Sequence, residues 1–344
     1  MPRLRLTRGR LWASAVFVAS TVAFLYLVLP KLLGLRDTWR RIQHGNAWWL
    51  CLGVVLEGLS FAGYVVLFRG VFARGARRIG WRASYEITMA GLAATRLFAA
   101  AGAGGVALTA WALRRSGMGR RAVARRLVAF MAILYGVFMA CLVIDGLGLY
   151  LGLLPGPAPF AITVVPAVVG ASAIAVSVAI SLPALDPRRL LVRLGGGRGA
   201  DRLAGRLVAA PAAASAGMRT AASLVRAREP ALAGALAWWG FDIAVLWACF
   251  HAFGGAPAVA VVVMAYFVGM LGNVLPLPGG IGGVDGAMIG AFSAFGIAPS
   301  LAVVAVLAYR VLAFWLPTAP GAIAYLQLRR TVGRWRAERT PRYT

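Results

Sequence analysis

Lysine is nearly absent from this 344-residue chain: Lys31 is the single lysine among 36 basic residues, which face only ten acidic ones. The net charge of +26 is therefore arginine. With so much alanine, glycine and proline beside it, that bias reads as compositional, so no nucleic-acid partner is expected from charge alone. Two histidines, His44 and His251, and three cysteines, Cys51, Cys141 and Cys249, show no metal-ligand spacing, so neither a metal nor a disulfide is expected. No nucleophile–histidine–acid grouping and no phosphate-binding loop occurs; Gly102-Ala103-Gly104-Gly105 lacks the strand and helix of a dinucleotide fingerprint. The expectation is a protein without a cofactor and without enzymatic chemistry.

Apolar residues are what the chain has in excess. At 61% hydrophobic content and a mean hydropathy of +0.79 it is an integral membrane protein, since several runs exceed the ~20 residues that cross a bilayer. Full spans are expected at Leu11–Leu33, Ala47–Phe72, Leu127–Leu153, Ala161–Leu182, Ala231–Phe253 and Ser300–Leu328, with broken segments at Ser84–Arg115 and Ala258–Phe295. Leu11–Leu33 is too long, and too poorly followed by a cleavage site, for a removable signal, so it is read as a retained span. Trp48, Trp49, Trp81, Trp238 and Trp239 fall near span ends, where indole rings anchor at headgroup level.

The centre of the pattern is Leu275-Pro276-Leu277-Pro278-Gly279-Gly280-Ile281-Gly282-Gly283-Val284-Asp285. Its prolines and glycines stop any continuous helix. Irregular backbone at membrane depth survives only inside protein or beside a wet cavity, and half-helices ending there point their termini at a polar ligand. Gly102-Ala103-Gly104-Gly105-Val106 aligns with Gly280-Ile281-Gly282-Gly283-Val284 at an offset of 178, which makes an internal duplication the leading account.

These residues resemble a known family. Pro276-x-Pro278-Gly279-Gly280-x-Gly282 followed by an acid, and the earlier turn followed by Ala112-Leu113-Arg114-Arg115-Ser116-Gly117-Met118, look like the two motifs of flippase-like membrane proteins related to the transmembrane region of lysylphosphatidylglycerol synthase. The likeness covers about residues 10 to 330. This chain departs from the pattern in Asp285, where glutamate is usual, and in Ala99-Ala100-Ala101, where a proline is more usual. A counterpart of the synthase's soluble aminoacyl-transferase domain is not expected. The resemblance implies lipid as the substrate class.

Arginine placement orients the spans. Basic clusters at the N-terminus, 74–82, 114–126, 186–228 and the C-terminal tail put both termini in the cytoplasm of a cell-membrane protein. Basic flanks make Ser84–Arg115 enter from the cytoplasm; uncharged flanks make Ala258–Phe295 enter from outside. Each is either re-entrant or crosses outright. The fold class is all-α, about six spans plus two broken segments in an inverted repeat: residues 1–183, a basic amphipathic linker 184–230, and residues 231–344 with a basic tail. The linker reads either as a pair of short helices on an anionic leaflet, hinged near Gly197, or as a solvated connection.

Charges inside hydrocarbon need a partner or a cavity. Arg96, Asp285 and Arg310 are expected to converge near the midplane with Gly102, Gly104, Gly105, Pro278, Gly279, Gly280, Gly282 and Gly283, forming a headgroup site, with Glu57 and Asp242 as secondary candidates. Asp145 reads as structural. The favoured function is moving a polar or charged lipid, phosphate-bearing by expectation, between leaflets. The alternative is a membrane accessory or scaffold for a lipid-linked glycosyltransferase or cell-envelope synthesis complex; a small-anion carrier is a third reading. A homo-oligomer is compatible with each.

Overall fold

A computed structural model describes residues 45–73, 78–97, 103–182, 201–274 and 282–338. The helices are α1 (Ala47–Phe72), α2 (Trp81–Leu97), α3 (Ala103–Arg115), α4 (Arg120–Tyr150), α5 (Phe160–Ser181), α6 (Asp201–Arg226), α7 (Ala233–Phe253), α8 (Val259–Leu271), α9 (Gly283–Ala294), α10 (Pro299–Arg310) and α11 (Thr318–Ala337). No strand occurs among the described residues. Helices α1, α4 and α5, the segment Pro230–Phe253 and the segment Pro299–Ala337 are each long and apolar enough to cross a membrane. The expected span Leu11–Leu33 lies outside the described residues, as does His44.

Two helices form the spine. Asn46 caps α1 by accepting from the Trp48 amide at 3.0 Å, and its own amide donates to the Ala252 carbonyl at the end of α7 at 2.9 Å. Further along, Ser60 Oγ donates to the Trp238 carbonyl at 2.8 Å. A Cβ placed on Gly234 would come within 2.4 Å of the Gly63 carbonyl oxygen. These contacts run in opposite senses along α1 and α7, so the two helices are antiparallel, and small residues let their backbones approach closely. The chain leaves α1 and α7 at opposite ends of the bundle. The broken segments that follow therefore enter it from opposite ends, as an inverted repeat requires.

Each broken segment is a hairpin of two arms. Helices α2 and α3 meet where a Cβ on Gly105 would lie 2.5 Å from the Gly91 carbonyl oxygen. Helices α8 and α9 meet where a Cβ on Gly272 would lie 2.5 Å from that of Gly283. Gly105 and Gly283 are the same position in the 178-residue offset. The start of α2 is tied to the end of α11, where Arg78 donates to the Trp335 carbonyl at 3.3 Å and pairs with Glu338 at 3.2 Å.

Three expectations change. The last span is not one smooth helix: Val311–Trp315 forms a π-turn before Pro317, whose missing N–H cannot close the helical ladder. Trp239 is buried, not an interfacial anchor; its indole donates to the Leu134 carbonyl at 2.8 Å and packs against Phe138, Tyr266 and Phe267. Finally, residues 201–226 make one helix that packs on α4 and α5, with Ala212, Ser215 and Ala221 buried and Ser215 Oγ donating to the Ile180 carbonyl at 2.9 Å. Gly197 and the rest of the proposed hinge lie outside the described residues.

Candidate functional site

The hairpin ends carry the charges. Asp285 sits in the first turn of α9, where its Oδ2 accepts from the Gly282 amide at 3.0 Å and satisfies an otherwise open helix N-terminus. Gly282 has a φ of +82°, a conformation that favours glycine. The other carboxylate oxygen, Oδ1, meets Arg310 Nε at 2.5 Å, and both side chains are buried. Arg310 closes α10, ~16 Å from that helix's start at 1.5 Å per residue.

Arg96 approaches from the other hairpin, ~22 Å along α2 at the same rise. Its reach is explained by the π-turn. Pro317 has no amide to offer the Ala313 carbonyl, and Arg96 Nη2 donates to that oxygen at 2.8 Å. Arg96 Nη1 donates to the Phe314 carbonyl at 3.0 Å, which the Thr318 hydroxyl also meets at 2.8 Å. The Phe314 ring lies 5.2 Å from the Arg96 guanidinium and 4.5 Å from that of Arg310. Arg96 and Arg310 thus meet at one aromatic ring, with Asp285 joined to the group through Arg310. The remaining N–H groups of Arg96 have no acceptor among the described residues.

Glu57 and Asp242 complete the cluster from the spine. Their carboxyls lie within hydrogen-bonding reach of each other and in the field of Arg96. Asp242 Oδ2 accepts from Tyr309 at 3.0 Å and from Tyr266. The sequence reading missed these two tyrosines and the π-turn carbonyls; Pro317 inside an apolar span was the signal for the latter. Of the candidate glycines, Gly105 and Gly283 are buried at hairpin arms and Gly104 is half-buried on α3. Gly102, Pro278, Gly279 and Gly280 lie outside the described residues. Asp145 is buried on α4 and makes no hydrogen bond with this group among the described residues.

Behind α2 is a cavity of about 530 Å³ between α1, α2, α3, α4 and α7. Its wall is mostly apolar, with hydroxyls from Tyr64, Thr88, Thr95, Thr109 and Tyr135. Trp238 divides it from the charges: the indole lines the cavity and meets Phe61 at 5.5 Å, while the Arg96 guanidinium lies 5.7 Å from the Phe61 ring. An apolar pocket therefore borders a buried charged cluster.

The family model described as the lysylphosphatidylglycerol synthase transmembrane region matches residues 11–321. A UPF0104 membrane protein of Methanocaldococcus jannaschii is 39% identical over 93 residues, which is 27% of this chain and 28% of the relative. A UPF0104 membrane protein of Methanothermobacter thermautotrophicus is 34% identical over 87 residues, 25% of this chain and 26% of the relative. The chain spans about a quarter of the length of the curated relatives it matches.

Proposed function

Given that the chain belongs to the lysylphosphatidylglycerol synthase transmembrane-region family, we propose that it is a lipid carrier, moving a polar or charged-headgroup lipid between leaflets without chemical change. The observation that carries this reading is the meeting of Arg96, at the inner end of the first hairpin, with Arg310, which closes α10 and is paired to Asp285 of the second hairpin, around the Phe314 ring. Arginine forks suit phosphate, and Arg96 keeps N–H groups without acceptors among the described residues. The bordering cavity offers an apolar wall to an acyl chain. A bilayer-crossing headgroup needs such a polar stop beside an apolar one.

In this reading the protein lies in the cell membrane with both termini cytoplasmic, as the arginine clusters direct. Its partners are phosphate-bearing lipids, and no enzyme activity is involved. The test is reconstitution with fluorescent phosphatidylglycerol and, in parallel, a fluorescent neutral glycolipid. Arg96→Gln is expected to stop movement of the phosphate lipid while the protein still melts as a folded species. Normal movement in a folded Arg96→Gln protein would reject the site.

One observation favours the accessory-protein reading, namely the buried Asp285–Arg310 pair, which is also what a structural lock looks like. Cysteines placed singly at Ser116 and Ser300 in a cysteine-free background separate the topology question from transport. Labelling from opposite sides is expected, and same-side labelling would remove the inverted arrangement on which the carrier reading stands.

A further inference from the structure

The Glu57–Asp242 pair is not needed to hold a headgroup, and its hydrogen-bond inventory does not close. Glu57 is 3% exposed and Asp242 6% exposed, on the two antiparallel spine helices. The phenols that reach the pair, Tyr266 from α8 and Tyr309 from α10, both donate to Asp242 Oδ2. Glu57 Oε2 is buried and has no donor among the described residues. Two ionised carboxylates at hydrogen-bonding reach repel, and neither can donate to the other. A single hydrogen placed between them supplies the missing donor.

We propose that Glu57 and Asp242 form a proton-binding site, and that its occupancy is coupled to anion binding at Arg96 and Arg310. Every charged neighbour enters the balance. Arg96 from α2 and Arg310 from α10 are positive, and Asp285 from α9 is spent on Arg310. Cys249, two turns beyond Asp242 on α7, is a buried thiol, and the two tyrosines reach the pair as hydroxyl donors. Tyr135 from α4 has Tyr64 as its electrostatic neighbour, not the acids. With one proton on the pair, the two arginines and the three acids sum to zero. Removing that proton leaves the buried cluster negative. An arriving anionic headgroup does the same, so anion and proton favour each other's binding, and the linkage is reciprocal.

The pair takes a proton and not a metal cation. A hard cation requires a shell of several oxygen ligands, whereas both nearby phenols act here as donors. The proton site stands on this geometry alone. Its use in driving lipid movement rests on the function proposed above.

The experiment is infrared titration of the full chain in lipid nanodiscs, with no added substrate, following the protonated carboxyl stretch. A band that titrates with pH is expected, shifted by carboxyl-¹³C labelling of Glu or Asp and lost in both Glu57→Gln and Asp242→Asn. Asp145→Asn should leave it in place. The isotope shift in unmutated protein assigns the band to Glu or to Asp. The conservative exchanges Glu57→Asp and Asp242→Glu, expected to keep the band and move its frequency while Glu86→Gln leaves it unmoved, test the site even where a neutral variant fails to fold. A titrating band that survives both substitutions would overturn the site. So would a band that disappears on adding sodium at fixed pH. In proteoliposomes an imposed pH gradient is expected to change the rate of phosphatidylglycerol movement in the unmutated protein and to have no effect in Glu57→Gln. If the band titrates but the gradient does nothing, the coupling is overturned while the proton site remains; if no lipid moves at all, it is the carrier reading that fails.

Discussion

The two hairpins are alike in backbone and unlike in charge. Gly91 and Gly105 of the first stand at the offset of 178 from Gly269 and Gly283 of the second, and all four lie where helix arms touch. At the charged positions the copies diverge. Arg96 corresponds to Val274, and Asp285 corresponds to Ala107. The cation thus belongs to one hairpin and the anion to the other. The shared residues are those that let two helices approach, and the unshared ones are those that meet polar groups, so the difference separates packing from site chemistry within one molecule.

Charge substitutions should break this comparison most severely, and only on the second hairpin's side. Arg310→Gln takes from buried Asp285 the arginine it faces, and Asp285→Asn takes from Arg310 its carboxylate, each costing about 3–5 kcal/mol where water is excluded. Thermal melting in detergent measures the loss, and the exchange Asp285→Arg with Arg310→Asp should recover much of it if the pair is purely a lock. Full stability in both single variants would mean that water or lipid already reaches the pair.

Glycine substitutions should affect the two hairpins alike. A Cβ on Gly105 would meet Thr95 Oγ1 at 2.1 Å, and one on Gly272 would meet the Gly283 carbonyl carbon at 2.7 Å. Valine at either place is expected to cost about 1–3 kcal/mol by overpacking, read by the same melts. A tolerant first hairpin beside an intolerant second one would show that the glycines, too, have diverged in role.

The smallest expected effect is that of Pro317→Ala. It restores an amide to the Ala313 carbonyl and so competes with Arg96 for that oxygen. Stability should move by no more than about 1 kcal/mol, since one hydrogen bond is exchanged for another. Lipid movement should nevertheless slow if Arg96 must be held in place. An unchanged rate would reduce the π-turn to a packing accident.

Much of this was legible in the sequence because hydrocarbon is an unforgiving solvent. Apolar length located α1, α4, α5 and α7, and the scarcity of acids drew attention to Glu57, Asp242 and Asp285 before any contact was known. The offset between the glycine turns placed the hairpins. What could not be read was pairing that depends on direction. Tyr266 and Tyr309 look like ordinary aromatic members of apolar helices, and only their rotation about those helices turns both hydroxyls onto Asp242. Trp239 misled for the same reason: proximity to a span end sets its depth, but the face it lies on sets its burial. In α6, the recurrence of arginine in the sequence obscured the small residues, Ala212 and Gly217, that let it pack on its neighbours.

The attachment of α2 to α11 has a mechanical consequence. These helices are joined at Arg78 to Glu338, at Ala93 beside Gly321, and at Arg96 to the π-turn, so the first hairpin's inner arm is bolted along its length to the last helix of the chain. Such a pair swings as one lever. With a fulcrum at Trp81 and an arm of ~22 Å, a tilt of only ~10° sweeps the Arg96 guanidinium sideways by ~4 Å. That is more than the length of a hydrogen bond, so a modest rocking of the pair suffices to part Arg96 from Phe61 of α1, while its contacts with the π-turn travel with it.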